Sequence, residues 1–396
     1  MKQSKLILPI IVISQFCCTS LWFAGNGVMS ELITNFNLQW SVLGHVTSAV
    51  QFGFIVGTLV FAILTIVDRF SPSKVFFTCA ILGSLFNAGI IWDENTLISI
   101  LSLRFITGFF LAGIYPVGMK IAADYYDKGL GTSLGFLVGA LVVGTAFPHL
   151  AKTMIEAFPW KSIILFTSII AIVGGFFMLI LVPNGPHRKA SGGLNLSAFF
   201  DVFKNSSFRS AAFGYFGHMW ELYAFWAFVP VILNTYKSLH PDTAFNIPFM
   251  SFIIIGIGGL ACVLGGFIAQ KAGTKQTAKT TLFLSCACCL ASPLFFITKS
   301  ESLFIGLLIF WGMVVIADSP LFSTLVAKNA SSQIKGTALT IVNCIGFSIT
   351  IISIQLLNII QSLLNPTYIY TLLAIGPMLG LIALSPKKKV RIALSK

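Results

Sequence analysis

Gly108-Phe109-Phe110-Leu111-Ala112-Gly113-Ile114-Tyr115-Pro116 returns, altered but recognisable, as Gly312-Met313-Val314-Val315-Ile316-Ala317-Asp318-Ser319-Pro320. Each stretch is apolar, opens on a Gly and ends on a Pro at the same distance from it. A second match follows each one: Gly131-Thr132-Ser133-Leu134 against Gly336-Thr337-Ala338-Leu339. Upstream, the loop Asp68-Arg69-Phe70-Ser71 falls opposite Gln270-Lys271-Ala272-Gly273. Matches that recur in order at nearly constant offset mark an internal duplication. Its two copies have the same topology, an arrangement suited to alternating access around a central axis.

Both copies lie in segments long enough to cross a bilayer, which takes about 20 mostly apolar residues. Twelve such spans are predicted. The first six run Leu6–Ser30, Leu43–Val67, Val75–Trp92, Leu97–Ala123, Leu130–Leu150 and Ser162–Val182. The second six run Ala211–Leu233, Ile247–Ala269, Thr280–Ile297, Leu303–Val326, Gly336–Ile360 and Tyr368–Leu384. The predicted fold is therefore an all-α membrane protein with twelve transmembrane helices in two pseudo-symmetric six-helix bundles. The bundles are residues 1–183 and 208–396, and residues 184–207 form a polar cytoplasmic linker rich in turn-forming residues.

Composition agrees. Of the 396 residues, 56% are hydrophobic and only 9% charged, where soluble chains carry about a quarter charged residues. The net charge of +13 raises the question of nucleic acid, but the cations sit between apolar runs rather than on a polar face, so a nucleic-acid partner is excluded. With the N-terminus inside, nineteen loop cations fall on the inner side and four (Lys152, Lys161, Lys237 and Lys299) on the outer. The positive-inside rule then puts both termini in the cytoplasm and the protein in an inner membrane. The run after Met1–Lys5 is too long for a signal-peptide core and reads as an uncleaved first helix. Cys286-Ala287-Cys288-Cys289 lacks a second pair at zinc spacing and a nearby His, so it reads as helix packing rather than a metal site.

Ile66-Val67-Asp68-Arg69-Phe70-Ser71-Pro72-Ser73-Lys74 resembles the loop signature of the major facilitator superfamily, and the resemblance extends over essentially the whole chain. The Asp-Arg pair and a later cation are kept. Leu64 stands where a Gly is expected, and no Gly follows Phe70. In the second half Gly266 is kept and Gln270 replaces the acid. Arg104-Phe105-Ile106-Thr107-Gly108 resembles the family's membrane Arg motif. The fifth span has Gly135, Gly139, Gly144 and Pro148 but not the Gly-Pro pairs of a drug antiporter. The resemblance implies a small-molecule transporter whose cavity is lined by the fourth, seventh and tenth spans, with Asp68 and Arg69 forming a cytoplasmic gate latch.

A charge at the centre of a span costs at least roughly 2.5–3.5 kcal/mol, so Arg104, His218, Glu221 and Asp318 need partners or water. His218 and Glu221 share a helix face, with Glu221 about 12 residues, or roughly 18 Å, from the outer end of its span. A carboxyl at that depth is a candidate proton carrier, with His218 tuning it; the plainer reading is a permanent interhelical bond. Asp318 stands beside the Pro320 bend, as a second proton site or as a cap for freed backbone. Arg104 either binds an anionic substrate group or holds a carboxylate of the protein. Lys120 is a gating residue that reaches water or latches onto Asp318. Trp220, Tyr223 and Trp226 form an aromatic stripe for a planar substrate or for packing. Gln15, Thr19 and Asn26 are candidate polar lining of the first span.

The expected function is a proton-coupled secondary transporter, a symporter of a small polar organic solute with an anionic group favoured by Arg104. It needs protons and membrane lipids as partners and no cofactor, and it works as a monomer. The alternative is a proton-antiporting exporter of drugs or siderophore-like metabolites. No phosphate-binding Gly-x-x-x-x-Gly-Lys loop is present, nor a His-Glu-x-x-His or Gly-x-Ser-x-Gly motif, so the chain is not expected to be an enzyme.

The orientation is testable by cysteine labelling in a Cys-free background. A membrane-impermeant maleimide applied to intact cells should label Thr243→Cys and spare Ser191→Cys. The reverse pattern would overturn the topology.

Overall fold

The computed structural model describes residues 6–126, 130–155, 158–188, 201–331 and 334–385. The middle of the expected linker (residues 189–200), the N-terminal cations Lys2 and Lys5, Lys128 and the C-terminal cations from Lys387 onward lie outside the described residues. Ten helices are long and apolar enough to cross a membrane: α2 (Val42–Ile63), α3 (Pro72–Ile91), α4 (Leu97–Tyr125), α5 (Ser133–Met154), α6 (Trp160–Leu181), α7 (Ser206–Leu239), α8 (Ile247–Ala272), α9 (Thr274–Ile297), α10 (Glu301–Asn329) and α11 (Lys335–Ile360). Two shorter apolar helices, α1 (Ile7–Thr19) and α12 (Ile369–Leu384), complete twelve. Large apolar side chains such as Ile180, Leu294 and Ile382 are exposed on the outside of the bundle, where lipid replaces water as solvent.

The duplication is visible in the packing. In the first half α1 packs on α5 and α6, α2 on α4, and α3 on α4 and α6. In the second half the corresponding contacts appear: α7 on α11 and α12, α8 on α10, and α9 on α10 and α12. The halves meet along two seams, α2 with α11 and α5 with α8.

Without water between them, transmembrane helices associate through close van der Waals contact, so small residues mark the tightest crossings. The repeated glycines sit at such crossings. A Cβ at Gly108 would fall 2.1 Å from the Val50 carbonyl oxygen, and one at Gly312 would fall 2.0 Å from that of Ile254. Equivalent glycines thus let α4 reach α2 and α10 reach α8.

The first helix departs from the continuous Leu6–Ser30 span expected of it. α1 ends at Thr19, the chain turns, and helix resumes as Ala24–Gly27 and Met29–Asn35. Hydroxyls compete for the backbone at the break: Thr19 Oγ1 donates to Gln15 O at 2.8 Å and Ser20 Oγ to Cys17 O at 2.7 Å. Gly25 and Gly27, weak helix formers, follow. Arg104 supplies the donors that a bilayer cannot. It is fully buried; Nη1 and Nη2 each lie 3.1 Å from the Leu21 carbonyl, and Nη2 lies 2.5 Å from that of Trp22. Nη1 also donates to Asn87 Oδ1 at 2.9 Å, and Asn87 Nδ2 donates to Ser168 Oγ at 2.9 Å. One guanidinium therefore ties α1, α3, α4 and α6 together.

Two stability outcomes follow. Gly108→Val and Gly312→Val should each cost about 3 kcal/mol or prevent folding, whereas Gly306→Ala, with open space around it, should leave the unfolding midpoint in detergent unchanged. Arg104→Ala should lower that midpoint, since each buried carbonyl deprived of its donor costs about 1–3 kcal/mol, and Arg104→Lys should recover only part of the loss because it lacks the fork. Full stability in Arg104→Ala would release this side chain for another role.

Candidate functional site

A cavity of about 630 Å³ lies between the halves. Its deep wall is made by Tyr115, Tyr215, Tyr223, Trp226, Asn343 and Phe347, and its mouth carries Asp68, Lys120, Lys328 and Lys335. The mouth thus lies at the end of the bundle that holds the basic loops. Between mouth and deep wall the polar lining is neutral, with hydroxyls such as Thr58, Ser319 and Thr340.

The deep end is plugged by aromatic rings from both halves. Trp22 stacks on Tyr223 and on Phe347, each with centroids 5.8 Å apart. Phe54 lies 4.5 Å from Phe347, and Tyr223 lies 5.2 Å from Trp226. Beyond the plug, polar bonds cross the α2–α11 seam: Gln355 Nε2 donates to Ser48 Oγ and Asn358 Nδ2 to the Ser41 carbonyl, both at 2.8 Å. A Cβ on Gly44 would fall 2.5 Å from Asn358 Cγ, so this seam is tightly shut. The molecule is closed at one end and open at the other.

The mid-membrane charges of the second half gather behind the cavity wall. His218 Nδ1 lies 2.8 Å from Asp318 Oδ1, both side chains 1% exposed. Asp318 occupies the bend between Glu301–Ala317 and Ser319–Asn329, where Pro320 removes a backbone bond to Ile316. The Asp318 N–H and Cys262 Sγ, at 3.5 Å, both approach that carbonyl. One turn along α7, Glu221 Oε1 accepts from Ser285 Oγ at 2.5 Å and from Trp311 Nε1 at 2.6 Å. Glu221, His218 and Asp318 therefore form one buried group among α7, α9 and α10. Their neighbours Tyr215, Met219, Leu222 and Ser319 face the cavity.

Other residues singled out from sequence take different places. Arg104 pairs with neither a carboxylate nor the cavity. Lys120 Nζ sits 3.2 Å from Asp68 Oδ1, within the first half and not on Asp318. Arg69 is exposed, and its Nε donates to Thr65 Oγ1 at 3.1 Å. The cation that bridges this loop is Arg188, whose Nη2 donates to the carbonyls of Asp68 at 3.1 Å and Phe70 at 2.8 Å. Trp220 turns away from the cavity and donates from Nε1 to the Leu372 carbonyl at 3.2 Å, so the stripe splits: Tyr223 and Trp226 reach the cavity and Trp220 packs α7 on α12. Gln15 presses on Gly118, where a Cβ would fall 2.2 Å from its Oε1, and neither of its amide atoms has a partner. Asn26 Nδ2 donates to Thr47 Oγ1 at 2.8 Å. Among the described residues no group of three His, Cys, Asp or Glu is placed to hold a metal.

Sequence reasoning missed Trp22, Phe54, Tyr115, Tyr215 and Phe347. Trp22 was accessible to it, since helical spacing puts it on the face shared by Gln15, Thr19 and Asn26. The others carry no such signal.

The sequence pattern of the Major Facilitator Superfamily matches residues 11–354. No curated protein matches the sequence. Among solved structures, the human organic anion transporter MFSD10 (TETRAN) superposes with a TM-score of 0.71 at 13% identity, covering 97% of this chain and 100% of that one. The proton:xylose symporter XylE bound to 6-bromo-6-deoxy-D-glucose gives 0.74 at 14% identity, with 95% and 94% covered. A point mutant of the nucleoside transporter NupG gives 0.71 at 16% identity, with 96% and 98% covered. Twelve helices in two repeated bundles, a cavity between them and the match over most of the chain lead to one assignment: the chain belongs to the Major Facilitator Superfamily and is a multi-pass membrane transporter, not an enzyme.

Proposed function

We propose that this transporter is a proton-coupled symporter that moves a small polar organic solute across the inner membrane by alternating access. The observation that carries the reading is the buried His218–Asp318 pair at the bend of α10, one turn from Glu221 and directly behind the cavity wall. In a medium of low dielectric an uncompensated charge is expensive. A proton arriving at Asp318 or Glu221 removes a negative charge and changes which bonds hold α7 to α9 and α10. Tyr215, Met219 and Leu222 stand on the same helix as His218 and Glu221, so that change is felt at the solute. Coupling then needs no direct contact between solute and proton site.

The basic loops at the open mouth support a cytoplasmic-facing, inward-open reading of this state. Bundle halves 1–183 and 208–396 would rock about the α2–α11 and α5–α8 seams, with Asp68 and Lys120 among the groups that rearrange at the mouth. Monomeric action suits a cavity formed wholly within one chain. Arg104, spent on the carbonyls of α1, gives no support to an anionic solute, whereas Lys120, Lys328 and Lys335 attract anions only at the entrance. Sugar, nucleoside and organic anion transporters all share this fold with the chain, so fold alone does not choose among solutes.

Reconstitution in proteoliposomes with an imposed pH gradient tests the coupling. Glu221→Gln and Asp318→Asn keep shape and cannot release a proton; each should reduce gradient-driven accumulation at least about 10-fold while leaving solute exchange at equal pH largely intact. His218→Ala should displace the pH optimum and retain some transport. Wild-type accumulation by both acid variants would remove these carboxyls as coupling sites.

A further inference from the structure

The chemistry of the cavity selects a kind of solute more narrowly than the fold does. Its ionised lining residues are Asp68, Lys120, Lys328 and Lys335, all at the mouth. A solute charge carried to the deep end would lie among Tyr223, Trp226 and Phe347 with no counter-ion, and an unpaired charge in such surroundings is strongly disfavoured. The hydrogen-bonding groups at depth are mostly carried on aromatic rings: the Tyr115, Tyr215 and Tyr223 hydroxyls and the Trp226 N–H, with the Asn343 amide among them. Among the described residues, Asn343 carries the one amide side chain on the lining, and its Oδ1 accepts from the Tyr215 hydroxyl at 3.0 Å.

The deep end is aromatic: Tyr223, Trp226 and Phe347 are at most 3% exposed and their rings pack on one another, so a flat solute would enter by parting them. Tyr223, Trp226 and Phe347 line the deep end, and Trp22 and Phe54 back them in mutual contact. Ring faces of this kind favour offset stacking with another ring. Among the described residues, two buried polar atoms of the lining have no partner. Trp226 is fully buried and lines the cavity, and its Nε1–H has no hydrogen-bond partner. Thr58 Oγ1, also buried and also on the lining, has none either. A buried donor left alone is costly, so its natural complement is an acceptor on the solute.

We infer that the cavity binds a neutral, planar heteroaromatic ring, stacked among Tyr223, Trp226 and Phe347 and accepting a hydrogen bond from Trp226 Nε1 through a ring nitrogen or carbonyl. This rests on reading the cavity as the transport site. The basic mouth is compatible with it, because an uncharged ring passes lysines without having to leave a counter-ion behind.

The purified, full-length protein in nanodiscs can be titrated with adenine, uracil and nicotinamide, and separately with glucose, xylose, benzoate and citrate, reading tryptophan fluorescence and the unfolding midpoint. At least one of the three heteroaromatic rings should quench fluorescence saturably and raise the midpoint, and the sugars and carboxylates should do neither. Trp226→Phe keeps the ring and loses the N–H, so affinity for the bound ring should fall about 5- to 10-fold. Tyr223→Leu should weaken it about 10-fold. Midpoints measured without ligand show whether either variant is misfolded, and Trp226→Phe, the milder change, decides if Tyr223→Leu is. Saturable binding of a sugar or a carboxylate instead, no binding of any ring, or ring affinity undiminished in Trp226→Phe would each overturn the inference. Proton-driven accumulation of whichever solute binds is scored separately. A sugar that accumulates refutes the heteroaromatic solute and keeps the transporter coupled; a ring that binds without responding to the gradient does the opposite.

Discussion

A lipid bilayer has no water to offer a freed backbone carbonyl, and the architecture of this chain is organised around the places where it breaks its helices anyway. The most consequential is the turn after Thr19. Arg104 enters that gap from α4 and holds the carbonyls of Leu21 and Trp22, with Asn87 and Ser168 extending the network to α3 and α6. Similar repairs occur elsewhere on a smaller scale. Pro293 frees the Cys289 carbonyl and Ser292 Oγ donates to it at 2.8 Å. Pro320 frees Ile316, which Cys262 approaches. The repairs by Arg104 and Cys262 also tie one helix to its neighbours, so polar side chains that look functional in the sequence also determine packing.

The two halves use a common scaffold for different ends. Gly108 and Gly312 admit the same close crossing, and the helix contacts correspond one for one. The polar groups do not. Where the first half places Arg104, the second has Leu308, fully buried. The first half thus commits its central charge to a fixed structural bond with backbone. The second half keeps His218, Glu221 and Asp318, groups that can change protonation. The two halves, joined along two seams, thus share a scaffold and differ in where their buried charges are spent.

Much of this was legible beforehand. Hydropathy located the helices because a bilayer imposes length and apolarity with little tolerance, and the Gly and Pro repeats gave the duplication because close crossings and bends admit few substitutes. Partnerships were not legible. Nothing in the residues around Arg104 announces that its acceptors are carbonyls, since a helix break in an apolar run leaves hydropathy unchanged. Lys120 was matched to Asp318 by repeat position, but it lies within reach of Asp68 because the loop after α2 folds under the end of α4, aided by Arg188. The cavity wall was half seen: Tyr223 and Trp226 belong to an obvious stripe, while Phe347 and Tyr215 are ordinary residues of apolar helices whose direction depends on how the halves dock.

The distribution of unsatisfied groups bears on why a closed end should ever open. Asn26 and Gln51 lie beyond the aromatic plug, on the shut side: Asn26 follows Trp22 in the short helix Ala24–Gly27, and Gln51 is one turn before Phe54 in α2. Both are buried, and Asn26 Oδ1 and both Gln51 amide atoms lack partners. Orphaned polar atoms of this kind cost about 1–3 kcal/mol each. Opening the far side would wet them and recover that cost. Such an opening would in turn break the bonds from Gln355 to Ser48 and from Asn358 to Ser41 and part the rings of the plug. On the alternating-access reading proposed above, these opposing terms are what a solute or a proton would have to tip.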